Sequence, residues 1–326
     1  MNTKEESPIK RKHTWFKLLA KGMGAVAVAI LLFLVIVFIV NGVCNQLEQR
    51  KIETYGQLVP VDGKHMNVLI EGQGKETIVL LPGYGTAAPA LDFKPLIEEL
   101  SPNYKVIVIE PFGYGLSDGT EKERTTENIT HEIHEALQRL NIDRYILMGH
   151  SIAGIYGLDY VNTYRSEVSA FVGIDSSVPQ QEGMDTEFPI RTFKFLRASG
   201  LARLVVKLSP DPYVNTTFDE QTKKQMNMLL LKNMNNSTLL NEMEHFYTNF
   251  TSAQKETFPT TLPVLLFVGL KDTSVKDWVP LHEEQAKQSH DGKVITLDAS
   301  HYIHHTKSKD MVQQLTLFMD NLKLHP

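Results

Sequence analysis

The chain has 326 residues, 42% apolar and 22% charged, a balance that excludes a disordered or low-complexity polypeptide and allows one large domain or two small ones. A formal net charge of −5 argues against a nucleic-acid partner. A single cysteine, Cys44, excludes an intrachain disulfide and a cysteine-only metal site.

The charge is unevenly distributed. Residues 1–21 carry Lys4, Lys10, Arg11, Lys12, Lys17 and Lys21 against Glu5 and Glu6, a basic tail. Gly22 to Leu47 carries no charge, and its heart, Ala25 to Val40, is apolar throughout. As a helix, residues 22–44 would be roughly 34 Å long at ~1.5 Å per residue, enough to cross a bilayer core about 30 Å thick. The run is apolar on every face, unlike a core helix, and longer than the ~7–15 residues of a signal-peptide core. An uncleaved membrane anchor is expected, with a linker over 45–54. The basic flank places the N-terminus in the cytoplasm and the folded part outside, and the lack of cysteine pairs suits a bacterial cell membrane.

Beyond the linker, β-rich runs fall at Gln57–Val61 and Met66–Glu71, joined by the turn Asp62-Gly63. Buried strands are predicted at Thr77–Leu81, Lys105–Ile109, Arg144–Met148, Ala170–Ile174, Val264–Val268 and Val294–Leu297. Helical periods separate them: Ala90–Leu100, the series Ile129, Ile133, Leu137 and Leu140, and Val312 through Leu322. This alternation predicts an α/β fold, a mostly parallel sheet of about eight strands with helices on both faces and an antiparallel start. Residues 176–262 contain no convincing strand and read as a helical insertion, leaving 55–175 and 263–326 as the core.

Gly149-His150-Ser151-Ile152-Ala153-Gly154 directly follows the strand ending at Met148. A serine on a sharp strand-to-helix turn is held clear of the sheet, and small residues two before and two after it avoid clashes. Serine needs a base, and the base a third group to orient it. His301 follows the last strand, and Asp272 follows the strand ending at Val268, both at the edge where parallel strands end. Asp175 also ends a strand and is the alternative acid; Asp272 is preferred. His304 and His305 lie further on and are set aside as bases, His150 is expected to pack beside the nucleophile, and His131 and His134 are read as a solvated helix face. Backbone N–H groups of Ile152 and of Tyr84, in the loop Pro82-Gly83-Tyr84-Gly85, are candidates for binding a developing oxyanion.

The runs LLPGYG, VIVIEPFGYGLSD (Val106–Asp118), GHSIAG, LPVLLFVGLKD (Leu262–Asp272) and DASHYIHH (Asp298–His305) together resemble the α/β-hydrolase superfamily over about residues 55–325. The resemblance implies Ser151 as nucleophile, His301 as base, Asp272 as acid, Tyr84 and Ile152 as oxyanion amides, and 176–262 as a cap. Pro82 replaces the usual histidine, Glu110 the usual aspartate and Ala153 the usual glycine; none removes a catalytic group. Ser151 disfavours the branches that use an aspartate nucleophile. The implied activity is a membrane-anchored serine hydrolase cleaving a carboxylic ester, including lipid esters such as a monoacylglycerol, without metal or organic cofactor. Amide or peptide cleavage, carbon–carbon bond hydrolysis, a peroxidase-like reaction and a non-catalytic binding protein are the alternatives.

Overall fold

The computed structural model describes residues 8–214, 216–271 and 274–324. Asn215, Asp272, Thr273 and the first seven residues therefore lie outside the described residues. The first helix, α1, is Pro8–Gln49, and the apolar side chains of its middle lie exposed, with no protein packed over them. That exposure excludes a buried core helix. α1 continues through Gln49, into the stretch read as a linker, because its Asn41, Asn45 and Glu48 are hydrogen-bonded by Arg203.

Eight strands form one sheet: β1 Gln57–Val61, β2 Lys64–Glu71, β3 Glu76–Leu81, β4 Tyr104–Glu110, β5 Tyr145–His150, β6 Val168–Ile174, β7 Val264–Gly269 and β8 Gly292–Leu297. Their order is β1-β2-β4-β3-β5-β6-β7-β8. The β1–β2 and β2–β4 pairs are antiparallel, and the remaining pairs are parallel. The α/β expectation is thus met, antiparallel start included.

Alternation along the central strands divides the core in two. Val79, Leu81, Ile107, Ile109 and Leu147 point to one face, where they meet α4 (Thr126–Arg139) and α5 (Ala153–Thr163). Ile78, Leu80, Val106, Val108, Ile146 and Met148 point to the other. That second face is covered by α2 (Pro89–Asp92), α3 (Lys94–Leu100) and α13 (Ser308–Leu324). Each buried aliphatic side chain contributes about 1.5–3 kcal/mol. The single helix expected over 90–100 is broken at Phe93 because Pro95, without an N–H, cannot continue an α-helical ladder from the preceding turn.

Among the described residues, the regular elements between β6 and β7 are all helices: α6 Ile190–Ser199, α7 Leu201–Leu208, α8 Glu220–Asn233, α9 Ser237–Glu244 and α10 Phe246–Ala253. They are pinned to the loop after β4. Asn233 and Asn236 donate to the carbonyls of Gly115 and Gly113 at 2.9 and 2.7 Å. Glu242 accepts from Tyr114 and Tyr156 hydroxyls at 2.9 and 2.8 Å. After β7 come α11 (Trp278–Ala286) and, after β8, the short α12 (Ile303–Thr306).

Candidate active site

In the parallel register Leu81 is opposite Gly149, His150 is opposite Ile174, and Gly269 is opposite Leu297. Residues 82–84, 151–152, 175 and 298–301 therefore leave the sheet at one edge. Ser151 sits there with φ +53°, a left-handed conformation unfavourable for a residue with a Cβ. Its backbone is fixed from both sides. Its N–H donates to the Ile174 carbonyl at 3.2 Å, and its own carbonyl accepts from Gly154 and Ser177 N–H at 2.9 and 2.7 Å. The small residues expected on either side are needed, since a Cβ on Gly149 would stand 3.0 Å from that of Ala153.

Gly83 brings the loop after β3 against the same turn: a Cβ there would be 3.0 Å from Ser151 Cβ and 2.7 Å from His150 Nδ1. Tyr84 follows directly, and its side chain turns away to donate to the Leu239 carbonyl at 2.9 Å. Ile152 precedes the first residue of α5 with helical dihedrals. Among the described residues, neither the Tyr84 nor the Ile152 N–H is engaged by a protein acceptor.

His301 Nδ1 lies 2.7 Å from Asp175 Oδ2. Asp175 is completely buried, and its Oδ1 accepts from Gly269 N–H and Trp278 Nε1–H, each at 2.8 Å. Three donors thus hold this carboxylate in one orientation. Asp272, the preferred acid in the sequence, lies outside the described residues; among the described residues, the alternative, Asp175, places its carboxylate on His301 Nδ1. Asp175 ends β6 and is itself at φ +43°, so the chain turns sharply to present it. Trp278, which steadies it, carried no signal in the sequence because its partner is 103 residues away.

Behind His301 lies a second group. His150 Nε2 is 3.2 Å from the His301 carbonyl oxygen, the role beside the nucleophile expected of it. His304 and His305 place their Nε2 atoms 2.8 and 2.9 Å from the two oxygens of Asp92. These three groups could hold a cation by spacing. The carboxylate already receives both imidazoles, and the arrangement fastens α12, next to His301, onto the end of α2. His134, expected on a solvated face, instead meets Glu167 at 2.9 Å and stacks on Tyr164.

Burial pushes His150 well below the ordinary imidazole range, with His304 and His301 adding repulsion. Burial also lowers His304, against the pull of Asp92. For Asp92 burial acts upward, but hydrogen bonds from His304 and His305 outweigh it and hold the carboxyl below its ordinary value. Both depressed imidazoles stay neutral in the fold while the unfolded chain protonates near pH 6.5. Stability is therefore full above that value and falls as pH drops toward their folded pKa values. Each histidine contributes a slope of about 1.4 kcal/mol per pH unit in that window. Denaturant unfolding at pH 5 and 7.5 should show this loss, and His150→Gln should reduce its slope; equal stability at both pH values would contradict it.

The fold and this edge define the class of protein. The chain belongs to the α/β-hydrolase fold family, whose model matches residues 76–308. It is 30% identical over 268 residues to a Bacillus subtilis protein called uncharacterized protein YbdG, covering 79% of this chain and 82% of that one. It is 24% identical over 192 residues to a 2-hydroxy-6-oxo-6-(2'-aminophenyl)hexa-2,4-dienoic acid hydrolase of Metapseudomonas resinovorans, covering 55% and 66% of the two chains. Among solved structures, the epoxide hydrolase VrEH1 of Vigna radiata superposes with a TM-score of 0.65 at 15% identity, over 81% of this chain and 97% of its own, a likeness of fold.

Proposed function

We propose that the protein is a serine hydrolase that cleaves carboxylic esters through an acyl-enzyme. Ser151 attacks the carbonyl while His301 takes its proton, and His301 then protonates the departing alcohol. Water repeats the cycle and releases the acid. Asp175, rather than Asp272, holds the imidazole in the tautomer that leaves Nε2 able to accept the serine proton. Tyr84 and Ile152 N–H bind the oxyanion, each such donor being worth about 10²–10³ in rate. Residues 176–262 act as the cap, and α1 anchors the protein in a membrane with its N-terminus on the cytoplasmic side. The observation that carries the reading is the buried, triply held Asp175 carboxylate on His301 Nδ1, at the same edge as the strained Ser151 turn.

A lipid-like ester is favoured as substrate. An anchor holds the enzyme beside such molecules, and Met184, Met226, Met228, Met234 and Met243 give the cap adaptable apolar side chains. The test is a series of p-nitrophenyl esters, acetyl to dodecanoyl, assayed with the full chain in detergent micelles. The expected result is kcat/KM rising at least tenfold from the shortest to the longer acyl groups. A preference for acetyl or butyryl would eliminate the lipid reading while leaving the esterase.

A further inference from the structure

Helix α7 leaves half of its apolar stripe, Val205 and Leu208, exposed. Leu201, Leu204, Val205 and Leu208 recur at helical spacing on one face. Yet Val205 is 57% and Leu208 79% exposed, while the residues turned inward are Ala202 and Arg203, each 8% exposed. Phe195 on α6 is also exposed, at 55%. Leaving such side chains in water forgoes about 1.5–3 kcal/mol each, and an ordered stripe, unlike scattered single residues, marks a surface meant to be covered.

The position of these helices indicates what covers them. Gly200, between α6 and α7, has φ +81°, and a Cβ there would lie 2.6 Å from Asn41 Cβ and 3.1 Å from the Val37 carbonyl oxygen of α1. Arg203 donates to Asn41 at 2.9 Å, to Glu48 at 2.8 Å and to Asn45, along one face of α1. A hydrocarbon core is crossed by about 20 helical residues, so a span entering after Lys21 leaves close to Asn41. The α6–α7 junction is thus fastened to α1 at the outer boundary of the bilayer. Residues 190–208 contain Arg191, Lys194, Arg197, Arg203 and Lys207 and no acidic residue. A groove of about 510 Å³ between α1 and these helices is lined by Lys194, Arg197 and Arg203. Arg197 spends its guanidinium on two neutral carbonyls, those of Lys232 and Met234.

We propose that α6 and α7 lie in the outer surface of an anionic phospholipid bilayer. Phe195, Val205 and Leu208 enter the acyl region, and the exposed basic side chains Arg191, Lys194 and Lys207 stand at the level of the phosphates, as in interfacial amphipathic helices. The inference rests on α1 being a membrane anchor. It adds that the cap is held on the bilayer, so that a lipidic ester reaches it without crossing water.

The test uses the full chain in phosphatidylglycerol–phosphatidylcholine nanodiscs, in a Cys44→Ser background. A polarity-sensitive fluorophore is placed through Leu208→Cys, through Ile36→Cys in α1, or through Glu98→Cys on exposed α3. The Leu208 label should be quenched by lipids bearing a nitroxide near the glycerol end and be at least fivefold less sensitive to aqueous iodide than the Glu98 label. The Ile36 label should respond to deep nitroxides. Iodide sensitivity at Leu208 equal to that at Glu98 would overturn the proposal. So would shielding from iodide without lipid quenching, which would mean a protein cover such as a second copy. In both cases quenching at Ile36 would show that the anchor itself stands; absence of quenching at Ile36 would instead remove the anchor and this inference with it.

Discussion

Ser151→Ala is expected to lower kcat for any ester substrate by about 10⁴–10⁶, with the fold retained. The oxygen that attacks in the proposed mechanism is lost, and the neighbouring hydroxyls of Ser176 and Ser177 belong instead to the turn that follows Asp175. Stability should change little. The strain at position 151 comes from a Cβ at φ +53°, which alanine keeps, and the bonds that hold the turn are made by backbone atoms. Steady-state kinetics beside thermal unfolding separates the two effects. A variant retaining a tenth of the activity would show that another group attacks.

Asp175→Asn should cost about 10⁴ in kcat. The asparagine oxygen would still accept from Gly269 N–H and Trp278 Nε1–H, which are fixed donors. Its NH₂ would then face His301 Nδ1 and donate to it, forcing the ring proton onto Nε2. An imidazole protonated at Nε2 cannot take the proton of Ser151. Because the change is isosteric, binding should suffer much less than turnover, so kcat falls while KM stays within a few-fold. Asp272→Asn is the comparison: if Asp175 orients the base, Asp272→Asn should lose less than a hundredfold. The reverse ranking would return the acid to the strand β7 position.

The sheet and the serine turn were legible in the sequence for a common reason: both are written locally. Runs such as Thr77–Leu81 and Lys105–Ile109 are buried on both faces of a parallel sheet and so have no polar alternation, and a glycine two residues before Ser151 is demanded by the turn itself. The place of His301 at the same edge followed from its position after the last strand. The acid is ambiguous in the sequence because two aspartates, Asp175 and Asp272, each follow a predicted strand, and spacing along the chain does not say which carboxylate the imidazole meets. The surroundings of Asp175 are tertiary: the donors on its Oδ1 come from β7 and from the start of α11. The Asp92–His304–His305 group was invisible for the same reason, its members being joined across 212 residues. The exposure of Val205 and Leu208 on α7 was hidden too, since periodicity reveals an amphipathic helix but not which way it faces.

Modification of the full chain with a fluorophosphonate, followed by intact-mass and peptide mapping, tests directly whether Ser151 is an activated nucleophile. A single adduct on Ser151, formed in native protein and lost on denaturation beforehand, is the predicted result. No adduct, or one on a different residue, would contradict it.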